Sequence, residues 1–104
     1  MVFLEAKILK SLKNKSIGLI GKKYAYPVTF KTRFGIHTFG LKFPIDVLIL
    51  NNKNFVVLIK KEMLPNKIFL WPIQYDTVIE LPKGEIERLK INEGSHVVLK
   101  YKIT

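Results

Sequence analysis

The alternation of hydrophobic and polar positions along the chain predicts mainly β-structure. In residues 2–7 the side chains of Val2, Leu4 and Ala6 share one side of a predicted strand, because successive side chains of a strand point to opposite sides. Runs rich in β-branched and aromatic residues, bounded by turn-forming residues, predict further strands at residues 27–30, 33–39, 46–50, 55–60, 77–81 and 96–103.

The clearest predicted element is a β-hairpin in the middle of the chain. Residues 46–50 and 55–60 are nearly continuous runs of Val, Ile, Leu and Phe, joined by the sequence NNKN at residues 51–54. Asparagine tolerates the left-handed conformations of tight turns, so the linker predicts a four-residue hairpin loop. Because both runs are almost wholly apolar, we expect them to be central strands with two buried faces.

The rest of the second half predicts a loop and a short helix. Residues 61–74 contain the chain-breaking Pro65 and Pro72 around apolar side chains, which predicts a long loop that covers the core. Pro82 favours the first turn of a helix over residues 83–90, where acidic residues come early and basic residues late, in the order that complements a helix dipole.

Together these elements predict a mainly β (α+β) fold. We expect a small closed or nearly closed antiparallel barrel-like sheet of about six or seven strands, with one short helix near residues 83–90. No linker or repeat divides the sequence, and 104 residues support one hydrophobic core, so residues 1–104 are predicted to form a single domain.

Composition narrows the class of protein. The chain is 48% hydrophobic, which excludes a disordered chain, and it lacks cysteine, which excludes disulfide scaffolds, thiolate zinc sites and cysteine nucleophiles. No apolar run approaches the roughly 20 residues of a membrane-spanning helix, and none near Met1 has the character of a signal peptide. We therefore expect a cytoplasmic protein without a membrane partner.

The charge distribution suggests one alternative function. The formal net charge is +10, and no acidic residue lies between Glu5 and Asp46, where basic residues are interleaved with aromatic ones. Such a segment suits a groove that follows a nucleic-acid backbone while bases stack. The basic segment 7–42 would then contribute Lys22, Lys23, Lys31, Arg33 and Lys42. Lysine greatly outnumbers arginine, however, and this excess is typical of the general composition of a thermophile or archaeal protein. The basic charge can therefore reflect overall composition rather than a binding surface.

Several segments resemble a family of uncharacterised bacterial and archaeal proteins, the domain-of-unknown-function family 192. The resemblance lies in residues 33–50 (RFGIHTFGLKFPIDVLIL), 78–84 (VIELPKG), 89–94 (LKINEG) and 18–21 (GLIG). One departure is Ser95, where the family usually has aspartate. The resemblance implies a compact β-rich fold with a helix near the C-terminus and no established activity. Residues 81–97 are also similar to the half-barrel of swapped-hairpin DNA-binding domains of the AbrB type.

Asp46, His37 and Glu80 are the candidate ligand-binding residues. Asp46 enters an apolar strand beside Pro44, where a buried carboxylate needs partners, either backbone N–H groups at the corner over residues 39–44 or a ligand. His37 is either a surface or core histidine or an acid–base partner of Asp46. Alternation predicts that Glu80 faces solvent, and the functional alternative is a carboxylate beside Asp46.

These residues leave three functions open. The leading interpretation is a binding or accessory module for an unspecified ligand, and the second is non-specific nucleic-acid binding. The third is an enzyme built on Asp46, His37 and Glu80, which we disfavour because the sequence has no nucleophile motif. Spacings typical of metal sites and phosphate loops are also missing, so we expect neither a cofactor nor a metal, and the sequence leaves a homodimer open.

Overall fold

A computed structural model describes residues 1–9 and 19–102 of the chain. Predictions for residues 10–18, including the start of the GLIG turn, lie outside the described residues. The described part contains one short helix, α1, and eight strands. The strands are β1 (Val2–Ile8), β2 (Val28–Lys31), β3 (Gly35–His37), β4 (Ile45–Leu50), β5 (Val56–Met63), β6 (Ile68–Leu70), β7 (Thr77–Pro82) and β8 (Val97–Lys102), and α1 covers Glu85–Arg88.

Six strands form one curled sheet in the order β5-β4-β7-β2-β1-β8. Its two edge strands meet where Phe55 and His96 form an antiparallel bridge, and the N–H of Val56 donates to the carbonyl of Ser95 at 2.9 Å. The mainly β, barrel-like prediction is therefore confirmed. The predicted antiparallel pairing holds from β2 through β7 and β4 to β5, whereas β1 pairs in parallel with both β2 and β8.

The curled sheet has a hydrophobic cluster on each side. The inner cluster joins side chains of β4, β7, β1 and β8 to Ile86 of α1. The outer cluster lies on β2, β7 and β4 and is covered by a two-stranded sheet of β3 and β6, which we call the small sheet. Because β4 and β7 are covered on both sides, almost all their residues are buried, as predicted for the hairpin strand over residues 46–50. The same prediction is wrong for residues 55–60, because β5 lies at the edge of the curled sheet and is only partly buried over most of its length.

Strand β6 corrects the loop predicted over residues 61–74. Ile68–Leu70 pairs with Gly35–His37, and a Cβ on Gly35 would lie only 2.5 Å from the carbonyl oxygen of Phe69, so glycine permits the close approach. The pattern misses β6 because a three-residue strand between prolines has no readable period. Trp71 does lie over the core, with its ring N–H donating to the carbonyl of Tyr75 at 2.7 Å.

The described residues contain no helix that is both long enough and apolar enough to cross a membrane.

Candidate functional site

Asp46 is buried on the inner side of the sheet and binds three backbone N–H groups. One carboxylate oxygen accepts the N–H of Glu62 at 2.9 Å, and the other accepts those of Gly84 at 3.1 Å and Ile86 at 3.0 Å. The register of β4 and β5 shifts at this point, and Glu62 has a positive φ of 50°. The carboxylate therefore joins an irregular part of β5 to the start of α1.

This geometry favours the structural interpretation of Asp46, with different donors from those expected. The corner over residues 39–44 supplies none of the three bonds, which come from β5 and from the segment after β7. Both carboxylate oxygens are occupied by strong charge-assisted bonds. An incoming ligand would have to displace these bonds to reach Asp46.

Glu80 is also buried, which corrects the prediction that it faces solvent. Its residue is only 5% exposed, and it pairs with Val28 of β2 on one side and Val47 of β4 on the other. Alternation predicts solvent on one side of β7, but the outer cluster and the segment at Leu19 cover that side. Asp46 pairs with Leu81, the next residue along, so the carboxyl groups of Asp46 and Glu80 lie on opposite sides of the sheet.

The environment of Glu80 disfavours its charged form. Burial raises the pKa of Glu80 from 4.5 to about 7, although a hydrogen bond from the backbone of Leu19 acts in the opposite direction. Within the described part of the chain, Oε1 of Glu80 has no hydrogen-bond partner. Glu80 is thus a proton-binding group in an apolar environment that titrates near neutral pH.

His37 lies at the surface of the small sheet, away from both carboxyl groups. Its Nδ1 accepts the backbone N–H of Phe39 at 3.2 Å, and the two rings are 5.2 Å apart between centroids. Asp46 is thus buried on the inner side of the curled sheet, Glu80 is buried on its outer side and His37 is exposed on the small sheet, so the structure does not bring the three residues into one site. Among residues 1–9 and 19–102, no cluster of three or more His, Asp or Glu side chains could hold a metal.

The structure instead forms a cavity of about 310 Å³ at one end of the curled sheet. We call it the mouth cavity. It is lined by the C-terminal ends of β1, β2 and β8, the first residue of β7 and the turn between β4 and β5. The lining residues are Ile8, Leu9, Thr29, Phe30, Lys31, Asn54, Thr77, Leu99 and Tyr101. The mouths of barrel-like sheets are common binding sites for small ligands, and the volume of this cavity is at the lower end of the usual range for ligand pockets.

Polar groups in the mouth cavity are arranged around Lys31. Its ammonium group donates to Oγ1 of Thr77 at 2.6 Å and lies 3.9 Å from Oδ1 of Asp76. Asn54 and Tyr101, whose side chains carry an amide and a phenol, are also among the lining residues, whereas the Thr29 hydroxyl already donates to the carbonyl of Val78. The sequence did not single out Asn54, Thr77 or Tyr101, because only the curled sheet brings these distant residues together.

A second depression, of about 460 Å³, is more open to solvent. It lies at the opposite end of β7, between Lys23 and Lys83, with Tyr24 and Phe43 in its walls. Its floor includes Pro82, which lies on the same side of β7 as Glu80, two positions further along. Lys83 is partly neutralised there, since its Nζ lies 3.5 Å from Oε1 of Glu62.

The five basic residues of the predicted nucleic-acid surface divide between the two ends of the sheet. Lys22, Lys23 and Lys42 precede β2 and β4. Lys31 is the last residue of β2 and Arg33 follows it at the other end, and both lie within 4 Å of Asp76. All five are exposed. These five cations therefore form two separate groups.

Comparison with protein families identifies one match across nearly the whole chain. The model of the family DUF192, described as uncharacterized ACR, matches residues 3–99. No curated protein matches the chain.

Two solved structures share the fold. A protein of unknown function from Novosphingobium aromaticivorans superposes with a TM-score of 0.71 at 16% identity, over 88% of this chain and 70% of that one. A putative transcription regulator from Sinorhizobium meliloti superposes with a TM-score of 0.73 at 17% identity, over 88% of this chain and 76% of that one.

Proposed function

We propose a binding function for this chain, which belongs to the DUF192 family of uncharacterised proteins, with the mouth cavity as the binding site. One observation carries the proposal: a cavity of about 310 Å³ in which apolar walls meet a few convergent polar groups. The buried residues Asp46 and Glu80, which the sequence suggested as ligand-binding residues, do not line this cavity.

The lining favours a small ligand with an apolar body and one anionic group. Phe30 and Leu99 provide apolar wall, and Lys31 provides the cation, held by Thr77 at the edge of the cavity. Asp76 neutralises part of that charge at 3.9 Å, so a ligand anion would compete with an exposed and therefore weak ion pair. Asn54 and Tyr101 add hydrogen-bonding groups for orientation.

We expect phenyl phosphate to bind in the mouth cavity more tightly than phenethylamine, which is a cation of similar size. The measurement is an NMR titration of the backbone amides with each compound. Lys31→Met should weaken phenyl phosphate binding about tenfold, the magnitude of a lost charge-assisted hydrogen bond. Lys60→Met, on the exposed part of β5, is the matched control and should leave the affinity unchanged.

Two results would contradict this proposal. One is that phenyl phosphate shifts no amide among the lining residues at millimolar concentration. The other is that Lys31→Met and Lys60→Met weaken binding equally, which would indicate attraction to net charge rather than to the cavity.

A second candidate function is nucleic-acid binding, supported by the exposed group of Lys22, Lys23 and Lys42 and by the net charge of +10. One structure of similar fold is described as a putative transcription regulator. If three phosphates are neutralised, the affinity for duplex DNA should fall about 40-fold between 50 and 200 mM salt. Fluorescence anisotropy measures this slope. The triple alanine variant of these lysines should abolish binding, and a slope near zero would dismiss the candidate.

A further inference from the structure

The outer side of the small sheet carries a row of large exposed apolar side chains. On β6, Ile68 and Leu70 are 61% and 69% exposed, while Phe69 between them packs on the outer cluster. Further exposed apolar residues lie in the segments that continue the two strands. We call the whole set the apolar ribbon: Phe34, Phe39, Leu64, Ile68, Leu70 and Ile73.

Hydrogen bonds hold the flanking parts of the apolar ribbon against the small sheet. The carbonyl of Phe34 accepts the N–H of Trp71 at 3.0 Å, and the carbonyl of Leu64 accepts the Thr38 hydroxyl at 2.7 Å. Phe34 has a φ of 76°, an unfavourable conformation for a bulky side chain, yet its ring is 61% exposed. Strained backbone that presents an exposed aromatic ring is typical of functional surfaces.

The apolar ribbon is large for the surface of a monomer. Six large side chains that are each about half exposed or more present on the order of 600 Å² of apolar area, the upper end for the largest patch of an ordinary monomeric protein. A surface of this kind is costly to leave in water. The apolar ribbon is therefore a candidate contact surface.

The charge around the apolar ribbon points to an anionic occupant. Residues 31–45 and 63–75, which build the small sheet and its flanks, contain no acidic residue. They do contain four exposed cationic residues, Lys31, Arg33, Lys42 and Lys67. The adjoining Asp76 lies within 4 Å of Lys31 and Arg33, so four positive charges and one negative charge leave this region at +3. A second copy of this chain would bring the same positively charged region against this one, and each copy has a net charge of +10, which opposes self-association through the ribbon.

We infer that the apolar ribbon inserts into the interfacial region of an anionic lipid surface. Apolar side chains at the headgroup boundary, surrounded by lysine and arginine, are the common features of proteins that lie on membranes. A fluid lipid surface also needs no shape complementarity to the protein. It can therefore accommodate side chains that project from the solvent-facing side of the small sheet. The sequence predicted no membrane partner because it contains no run long enough to span a membrane. That criterion does not apply to a protein that binds only the membrane surface.

Vesicle co-sedimentation tests the inference with two lipid compositions. We expect the chain to bind vesicles of 70% phosphatidylcholine and 30% phosphatidylglycerol at 50 mM salt and not to bind pure phosphatidylcholine. The double variant Ile68→Ser/Leu70→Ser should lower the partition coefficient at least tenfold. The matched control is Phe3→Ser/Tyr24→Ser, which removes two large side chains outside the ribbon and the mouth cavity, each 72% exposed, and should change binding less than twofold.

Folding of each variant is checked by thermal unfolding. If Ile68→Ser/Leu70→Ser does not fold, Leu64→Ser/Ile73→Ser replaces it, because both residues lie outside the strands. The inference is overturned if the anionic vesicles bind no protein, or if the ribbon and control variants lose binding equally. A third contradicting result would be that duplex DNA displaces the protein from the vesicles while the ribbon variants bind vesicles as the wild type does. Attraction between the cationic side chains and the anionic lipid would then be sufficient to explain binding.

Discussion

Asp46→Ala is expected to lower the free energy of unfolding by about 3 to 5 kcal/mol, the largest effect of any single substitution considered. The variant removes the acceptor of three backbone N–H groups, those of Glu62, Gly84 and Ile86, without supplying another. Each buried donor left without an acceptor costs about 1 to 3 kcal/mol, and the losses at one carboxylate are not fully additive. The change also separates α1 from the irregular part of β5.

Urea unfolding followed by circular dichroism measures this effect. Asp46→Asn keeps the size of the side chain but only one acceptor oxygen, so it should lie between wild type and Asp46→Ala. The matched control is Asp76→Ala. This partly exposed carboxylate makes two surface ion pairs and accepts a long hydrogen bond from the Thr77 hydroxyl at 3.3 Å, so its loss should change stability by less than about 1 kcal/mol. A loss below about 1 kcal/mol for Asp46→Ala would show that the carboxylate is dispensable to the fold.

Glu80→Gln is expected to stabilise the protein at alkaline pH by about 3 kcal/mol and to have little effect below pH 4.5. The folded chain holds the Glu80 proton up to a pKa of about 7, whereas an ordinary glutamate releases it near 4.5. Between these values the folded state binds more protons than the unfolded state, so the stability that the neutral carboxyl contributes is lost as the pH rises. Each pKa unit corresponds to about 1.4 kcal/mol.

The measurement is the difference in unfolding free energy between Glu80→Gln and wild type from pH 4 to pH 8.5. The difference should rise across the interval and level off above pH 7. Glu93→Gln, which changes an exposed glutamate, is the control and should give a flat difference. A flat difference for Glu80→Gln as well would mean that the buried carboxyl ionises at its ordinary pH.

Much of the fold follows from local patterns, and the exceptions have physical causes. The central hairpin is predictable because two apolar runs flank NNKN, and the structure does turn there, with Oδ1 of Asn51 accepting the N–H groups of Lys53 and Phe55. The parallel pairing of β1 has no local signal. It depends on β8, nearly a hundred residues away, and pairing between distant segments leaves no period in either one.

The candidate site was less predictable than the fold. The need for partners at Asp46 follows from its place in an apolar strand, but its donors are set by tertiary contacts with residues 62, 84 and 86. Glu80 was misjudged because alternation assigns sides of a strand and does not say whether both sides are covered. The mouth cavity was missed because its polar residues come from segments that are far apart in sequence.

The position of β1 between β2 and β8 has a consequence for synthesis of the chain. Strand β1 pairs with β2 only at Lys7 and Ile8, but with β8 along its length from Val2 to Lys7. Strand β1 therefore cannot complete its hydrogen bonds until β8 has been synthesised. Contacts of such long sequence separation slow folding. Until then an exposed strand edge is open to other chains, so the nascent protein depends on β8 to avoid aggregation.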